Sequence, residues 1–184
     1  MPPYAKRVIK QSFIRLLNER PISQITVKEI VEDCGVNRNS FYYHFQDIPS
    51  LLEEIVVEMT DDTIRNLPAE AGFEEHIESA LQLVVKHRKA IYHILCASNS
   101  NKEFYELQLM KICEYITRDY IATRDYAENV PEEDMEYIVS FLKNQIYGQM
   151  MDWIHHDMSY DIVEHTGKLC RMFAGSIRAV CARY

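Results

Sequence analysis

Apolar residues recur along this chain at helical spacing, and no stretch alternates apolar and polar positions long enough to make a sheet. Val8, Ile9, Phe13, Leu16 and Leu17 predict a helix over residues 4–19, closed by Pro21. Thr26-Val27-Lys28-Glu29 has the form of a capping box, in which a threonine hydroxyl and a glutamate three residues on satisfy each other's backbone donors. The short helix it opens buries Val27, Ile30 and Val31 and ends at Gly35, a residue that adopts the left-handed conformation readily. Asn37 is a good N-cap for a second short helix, through His44 or Phe45. Asp47 caps a third that runs to about Asn66, with Pro49 tolerated in its first turn. Beyond a break at residues 67–72, helices are predicted at 73–87, 89–97, 101–124, 131–157 and 160–182. Ser100-Asn101-Lys102-Glu103 is a further capping box, and Pro131 before three acids is a further helix start. The predicted fold class is all-α: a three-helix head over residues 1–48 and a larger helical body over 49–184.

Composition narrows the class. The 184 residues are 47% hydrophobic and 26% charged, as in an ordinary globular protein, with too few glycines for a strand-rich fold. No apolar run approaches the ~20 residues of a membrane span. The start MPPYAKRVIK lacks an apolar segment of the kind a signal peptide has, so a cytoplasmic protein is expected. Cys34, Cys96, Cys113, Cys170 and Cys181 form no CxxC pair and are read as reduced thiols in helices. The net charge of −8 excludes a nonspecific nucleic-acid coat protein. It is unevenly placed: residues 1–48 carry seven Lys/Arg against five Asp/Glu, a balance of +2, and the remainder carries 13 against 23. A basic head on an acidic body turns the head toward phosphate.

The most informative stretch is residues 26–48, a capped helix, a turn at Gly35-Val36-Asn37 and a second short helix, which is the spacing of a helix-turn-helix. The second helix, Arg38-Asn39-Ser40-Phe41-Tyr42-Tyr43-His44, is polar and aromatic around the apolar anchor Phe41. In the major groove of DNA, Arg38 suits guanine, Asn39 suits adenine, and a tyrosine ring suits a thymine methyl or a phosphate.

Ile-Thr-Val-Lys-Glu-Ile (25–30) followed by Cys-Gly-Val-Asn-Arg-Asn-Ser-Phe-Tyr-Tyr-His-Phe (34–45) resembles the signature of the TetR family of repressors. A looser resemblance to one C-terminal variety of that family spans residues 85–175, on His87-Arg88-Lys89-Ala90-Ile91-Tyr92, Ile146-Tyr147-Gly148 and Asp152-Trp153-Ile154. The resemblance implies that Thr26 and Lys28 sit near backbone phosphates. It implies that Arg38, Asn39, Ser40, Tyr42, Tyr43 and His44 lie on the DNA face. Many members carry a lysine at the start of the next helix, where this chain has Ile48, so Lys6, Arg7 and Lys10 are expected to compensate.

The body is larger than dimerisation alone requires. His87, Tyr92, Cys96, Tyr105, Leu109, Tyr147, Met151 and Trp153 are the candidate lining of a pocket for a mostly apolar effector. The last two long helices carry wide apolar arcs, Ile162, Leu169, Met172, Phe173, Ile177 and Val180 on the final one, and predict a homodimer interface. No cofactor or metal is expected: His87, His93 and Cys96 do not share one face, and His155-His156-Asp157 suits a helix end. No Ser-His-Asp order or glycine-rich phosphate loop is present, so an enzyme is not expected. The function expected is a repressor released from operator DNA by a small molecule. The rival reading is a DNA-silent helical co-regulator acting through protein–protein interaction. A helical small-molecule carrier or enzyme is a third.

Overall fold

The computed structural model describes residues 3–68, 70–95 and 102–184, and among them every regular element is helical. In chain order these are α1 (Pro3–Glu19), α2 (Val27–Cys34), α3 (Arg38–His44), α4 (Ile48–Arg65), α5 (Phe73–Lys86), α6 (Arg88–Leu95), α7 (Lys102–Ala122), α8 (Glu132–His155), α9 (Ile162–Met172) and α10 (Ser176–Cys181). Single 3-10 turns occur at Ile22–Gln24 and Asp125–Ala127. Among the described residues no helix is long and apolar enough to cross a membrane.

The chain divides into two compact units. The first comprises Met1–Met59 and His87–Glu106. Its core gathers Ile9, Phe13, Leu16 and Leu17 of α1, Ile30 and Val31 of α2, Phe41 of α3, Phe45, and Leu51 and Ile55 of α4. The positions that set the helical period of α1 are therefore those it buries, apart from the half-buried Val8. Asp47 begins α4 as the sequence predicts: its Oδ1 accepts from Ser50 N at 2.8 Å, and Ser50 Oγ accepts from Asp47 N at 3.1 Å. Helix α6 packs on α1, and His93 Nδ1 lies 2.7 Å from the Leu17 carbonyl oxygen.

The second unit comprises Thr60–Lys86 and Leu107–Tyr184. Here α5 packs on α9, and α8 also touches α9. One core cluster joins Tyr120, Ile121, Ala127, Val139, Leu142 and Cys181. The Arg124 guanidinium lies 4.4 Å from the centre of the Tyr120 ring, and Arg124 donates to the carbonyl of Ala71. Burial pushes the Cys113 thiol up to about 12. An ion-pair cluster ties α7 to α8: Glu114 accepts from Lys143 at 2.6 Å and from Arg118 at 2.9 Å, and Arg118 reaches Glu136 at 2.7 Å.

Two predicted helices end differently. Helix α8 stops at His155, where Met158 N bonds back to Trp153 O at 2.9 Å and Asp157 and Met158 take φ of 55° and 54°. The single helix predicted over 160–182 is two. The last turn of α9 tightens, with Ala174 N on Arg171 O, and Gly175 then takes φ of 80° and starts α10. The left-handed backbone of Gly175, which glycine adopts without steric cost, breaks the helix there. The capping box at residues 100–103 begins outside the described residues.

Candidate nucleic-acid interface

The helix-turn-helix is built from local hydrogen bonds. Thr26 accepts from Glu29 N at 3.3 Å, and Glu29 Oε2 accepts from Thr26 N at 2.9 Å and from the Thr26 hydroxyl at 2.8 Å. Arg20 adds an ion pair to Glu29 at 3.0 Å. The Thr26 hydrogen bonds, with a smaller part from Arg20, hold the Glu29 carboxyl below its ordinary value. At the other end of α2, Gly35 adopts φ 71°, ψ 23°, and both its own N–H and that of Val36 bond to Val31 O. The chain reverses there without a strained side chain. Asn37 then caps α3, its Oδ1 accepting from Ser40 N at 2.8 Å and from the Ser40 hydroxyl at 3.1 Å.

This turn orients α3. Phe41 and Phe45 are buried, four residues apart, with ring centres 5.7 Å from each other. Arg38, Asn39, Tyr42 and Tyr43 are exposed. Positions 38 and 42, and 39 and 43, are each one turn apart, so these four share the outer face. Tyr43 is 69% exposed. His44 is half-buried, meets the Tyr43 ring edge-on at 4.9 Å, and has an Nε2 without a hydrogen-bond partner among the described residues. Thr26 and Lys28 are exposed at the start of α2, Lys28 lying 3.8 Å from Glu32.

Two expectations change. Ser40 is not on the outer face: it is 7% exposed, and its hydroxyl is committed to the Asn37 cap. Its position, two residues after Arg38, turns it toward the core side. Lys6 and Lys10, expected to compensate for Ile48, are bound instead to Glu54 and Glu58 of α4. Ile48 is half-buried at the start of that helix. Sequence spacing gives no sign of pairs formed 44 to 48 residues apart.

The candidate effector residues fall in both units. His87, the residue just before α6 in the chain, is half-buried, Tyr92 is exposed on α6, and Tyr105 is buried on α7; all three belong to the first unit. Leu109, Tyr147 and Met151 are half-buried in the second. Trp153, also in the second, is fully buried and donates its Nε1 hydrogen to the Tyr160 carbonyl at 2.8 Å, so its polar atom is already used. Cys96 lies outside the described residues. A shallow groove of about 290 Å³ between α4 and α5, lined by Thr63, Asn66, Leu67, Ser79, Gln82, Leu83 and Lys86, shares no residue with that set. Among the described residues no three His, Cys, Asp or Glu side chains converge to hold a metal ion.

On the final helices, Tyr137 and Phe141 of α8, with Met172, Phe173, Val180 and Tyr184, are exposed. Ile162 is fully buried within its own chain, and Ile177 packs on the internal cluster, so those two leave the predicted dimer face.

Residues 14–55 match the model for bacterial regulatory proteins of the tetR family, and residues 73–175 match a transcriptional regulator C-terminal region. An uncharacterized HTH-type transcriptional regulator of Bacillus subtilis (strain 168), YxbF, is 26% identical over 109 residues, which is 59% of this chain. The matched stretch spans 27% of that relative's length. Among solved structures, the dihydroxyacetone kinase operon activator DhaS has a similar fold, with a TM-score of 0.67 at 16% identity over 95% of this chain and 97% of that one. NalD, the secondary repressor of the MexAB-OprM multidrug efflux pump in Pseudomonas aeruginosa, aligns at a TM-score of 0.46 and 15% identity over 98% and 94% of the two chains.

Proposed function

Since the chain belongs to the TetR family of bacterial transcriptional regulators, we propose that it binds operator DNA as a homodimer. Helix α3 enters the major groove with Arg38, Asn39, Tyr42 and Tyr43 toward the bases. Thr26, Lys28 and His44 meet the flanking phosphates. The observation that carries this is the outer face of α3: four long polar or aromatic side chains stand exposed together on a helix pinned by Phe41 and Phe45. A solvated helix has no need of such a surface, whereas the major groove accommodates it.

One helix-turn-helix reads only a few base pairs, so the active species is a two-fold dimer. Its supporting surface is the exposed apolar set Tyr137, Phe141, Met172 and Phe173 on α8 and the end of α9. Control by a small molecule completes the proposal: the half-buried Leu109, Tyr147 and Met151 suit a mostly apolar effector. Such a molecule acts only by binding the DNA-bound and DNA-free states unequally. Repression is the sense of control we infer, although the similar fold of DhaS belongs to a protein named as an activator.

Selection of duplexes from a random library is the test. An enriched pseudo-palindrome, bound by a dimer in light scattering, is the expected result. No enriched site overturns the proposal. The second reading, a co-regulator without DNA contact, draws support from Ile48 and from the engaged Lys6 and Lys10. It predicts the empty selection.

A further inference from the structure

Two lysines of α1 and two glutamates of α4 form a closed cluster inside the first unit. Lys6 Nζ lies 2.7 Å from Glu54 Oε1. Lys10 Nζ lies 2.5 Å from the same oxygen and 2.6 Å from Glu58 Oε2. Each pair of like residues is one helical turn apart, so the four charges interlock as a ladder and sum to zero. Lys10 is the inner rung, its side chain 13% exposed, and Lys6 the outer, at 41%. Burial pulls the Lys10 ammonium down, but hydrogen bonds and charge from Glu54 and Glu58 outweigh it, and its net shift is upward. Glu54 shifts below its ordinary value, burial opposing and the two lysines prevailing.

The cluster stands beside the reading helix. Lys6 Nζ is 5.8 Å from the centre of the Phe45 ring, and Phe45 directly follows His44. Lys6 is the more exposed of the two lysines, so a freed ammonium there is open to solvent and to any phosphate that approaches the head. Elsewhere in this unit Arg15 pairs with Asp33, Arg20 with Glu29 and Lys28 with Glu32. Among the described residues no ion pair is found for Arg7 or Arg38. The charge count agrees. Residues 1–48 balance at +2, and Glu53, Glu54 and Glu58 bring residues 1–59 to −1.

We propose that Glu54 and Glu58 are specificity determinants of DNA binding: they neutralise Lys6 and Lys10 and so hold down the head's attraction to phosphate regardless of sequence. The inference rests on α3 being the DNA-reading helix. A cation already bound to a carboxylate at 2.5–2.7 Å gains little by exchanging it for a phosphate. Lys10, with its side chain 13% exposed, is also screened little by salt. Attraction to any duplex falls, while the base contacts of Arg38, Asn39 and Tyr42 are untouched, and the ratio of specific to nonspecific binding rises.

The test uses the full chain, a random-sequence duplex and a salt series. At ~0.1 M salt one added phosphate contact is worth about tenfold in affinity and about 0.9 in the slope of log affinity against log salt. E54Q/E58Q is expected to bind the random duplex about tenfold or more tighter, with a steeper slope. Adding K6Q to that variant is expected to return affinity toward the wild type. K6Q alone is expected to leave the wild-type slope unchanged. A mere brace between helices moves thermal stability and neither of these readouts. Unchanged affinity in a folded E54Q/E58Q overturns the proposal. So does a fall of about one in slope for K6Q alone, a variant that keeps the wild-type core should the glutamate variant fail to fold. Tight binding of the random duplex by E54Q/E58Q with no selected operator removes the operator reading and with it the role in specificity, and leaves only the neutralisation of Lys6 and Lys10. Absence of binding by every variant overturns that part as well, since freed lysines then find no phosphate.

Discussion

His93 Nδ1 lies 2.7 Å from the carbonyl oxygen of Leu17, and because a carbonyl can only accept, that nitrogen carries the proton. The bond joins α6 to the last turn of α1, where the final carbonyls of a helix lack partners of their own. His93→Ala removes the donor and leaves a part-buried carbonyl in need of one. The expected loss is about 1–2 kcal/mol of stability, read from the urea midpoint. A midpoint unchanged from wild type would show that solvent replaces the bond at no cost.

Gly35 and Gly167 predict opposite outcomes for the same substitution. A methyl group on Gly35 meets nothing within 4 Å, but the residue sits at φ 71°, so the cost is in the backbone. Gly35→Ala should lose about 1–2 kcal/mol, and Gly35→Asn less. Gly167 lies within α9, where a methyl group would stand 2.6 Å from Glu78 Oε1 and 3.3 Å from an Arg171 nitrogen. Both are the ends of flexible side chains and can move. Alanine is also the better helix former by about 1 kcal/mol, so Gly167→Ala should be neutral or stabilising in thermal melts.

Ser40 and Tyr42 separate shape from contact. Tyr42→Ala is expected to cost roughly 1–3 kcal/mol of operator affinity with an unchanged melting temperature. Ser40→Ala removes a hydroxyl buried against Asn37 and not one that faces outward, so its effect should appear first in the melt. Gel-shift titrations beside circular dichroism melts would show the split. A Ser40→Ala protein that melts like the wild type yet loses operator affinity would place that hydroxyl on the DNA after all.

The cluster around Glu114 gives a pH dependence. Hydrogen bonds from Lys143 and Arg118 hold the Glu114 carboxyl below its ordinary value of 4.5, and Arg118 does the same to Glu136. A carboxyl lowered on folding contributes stability that is fully present above its unfolded value and is lost as pH falls through the folded one. Stability should therefore drop below about pH 4.5, and Glu114→Gln should both weaken the protein at neutral pH and flatten that acid limb. Urea midpoints collected from pH 7 downward measure it. Parallel acid limbs for the two proteins would remove the cluster from the account.

These cases show what the sequence carries and what it does not. The Thr26 box, the Gly35 turn, the Asn37 cap and the Asp47 cap are interactions closed within three or four residues, and all four were legible from residue type and spacing. Of the six residues expected on the outer face of α3, Arg38, Asn39, Tyr42 and Tyr43 are exposed, His44 is half-buried and Ser40 is buried; the chemistry of Ser40 suits either a cap or a base, and its direction depends on which side Phe41 packs. Pairs such as His93 with Leu17 and Lys10 with Glu58 join residues 76 and 48 positions apart. No local pattern encodes them. The break at Gly175 escaped for another reason: apolar residues keep helical spacing across it, so periodicity sees one helix where the backbone makes two.

The buried indole of Trp153 gives the second unit an optical signature of its own. It is the chain's one tryptophan, so long-wavelength emission arises from α8 and the turn toward α9 and from nowhere in the reading head. Its hydrogen bond to Tyr160 breaks when that turn opens, and the emission then shifts to the red. Fluorescence thus reports the unfolding of one unit while circular dichroism averages both. Any gap between the two melting curves measures how far the halves of the molecule unfold independently.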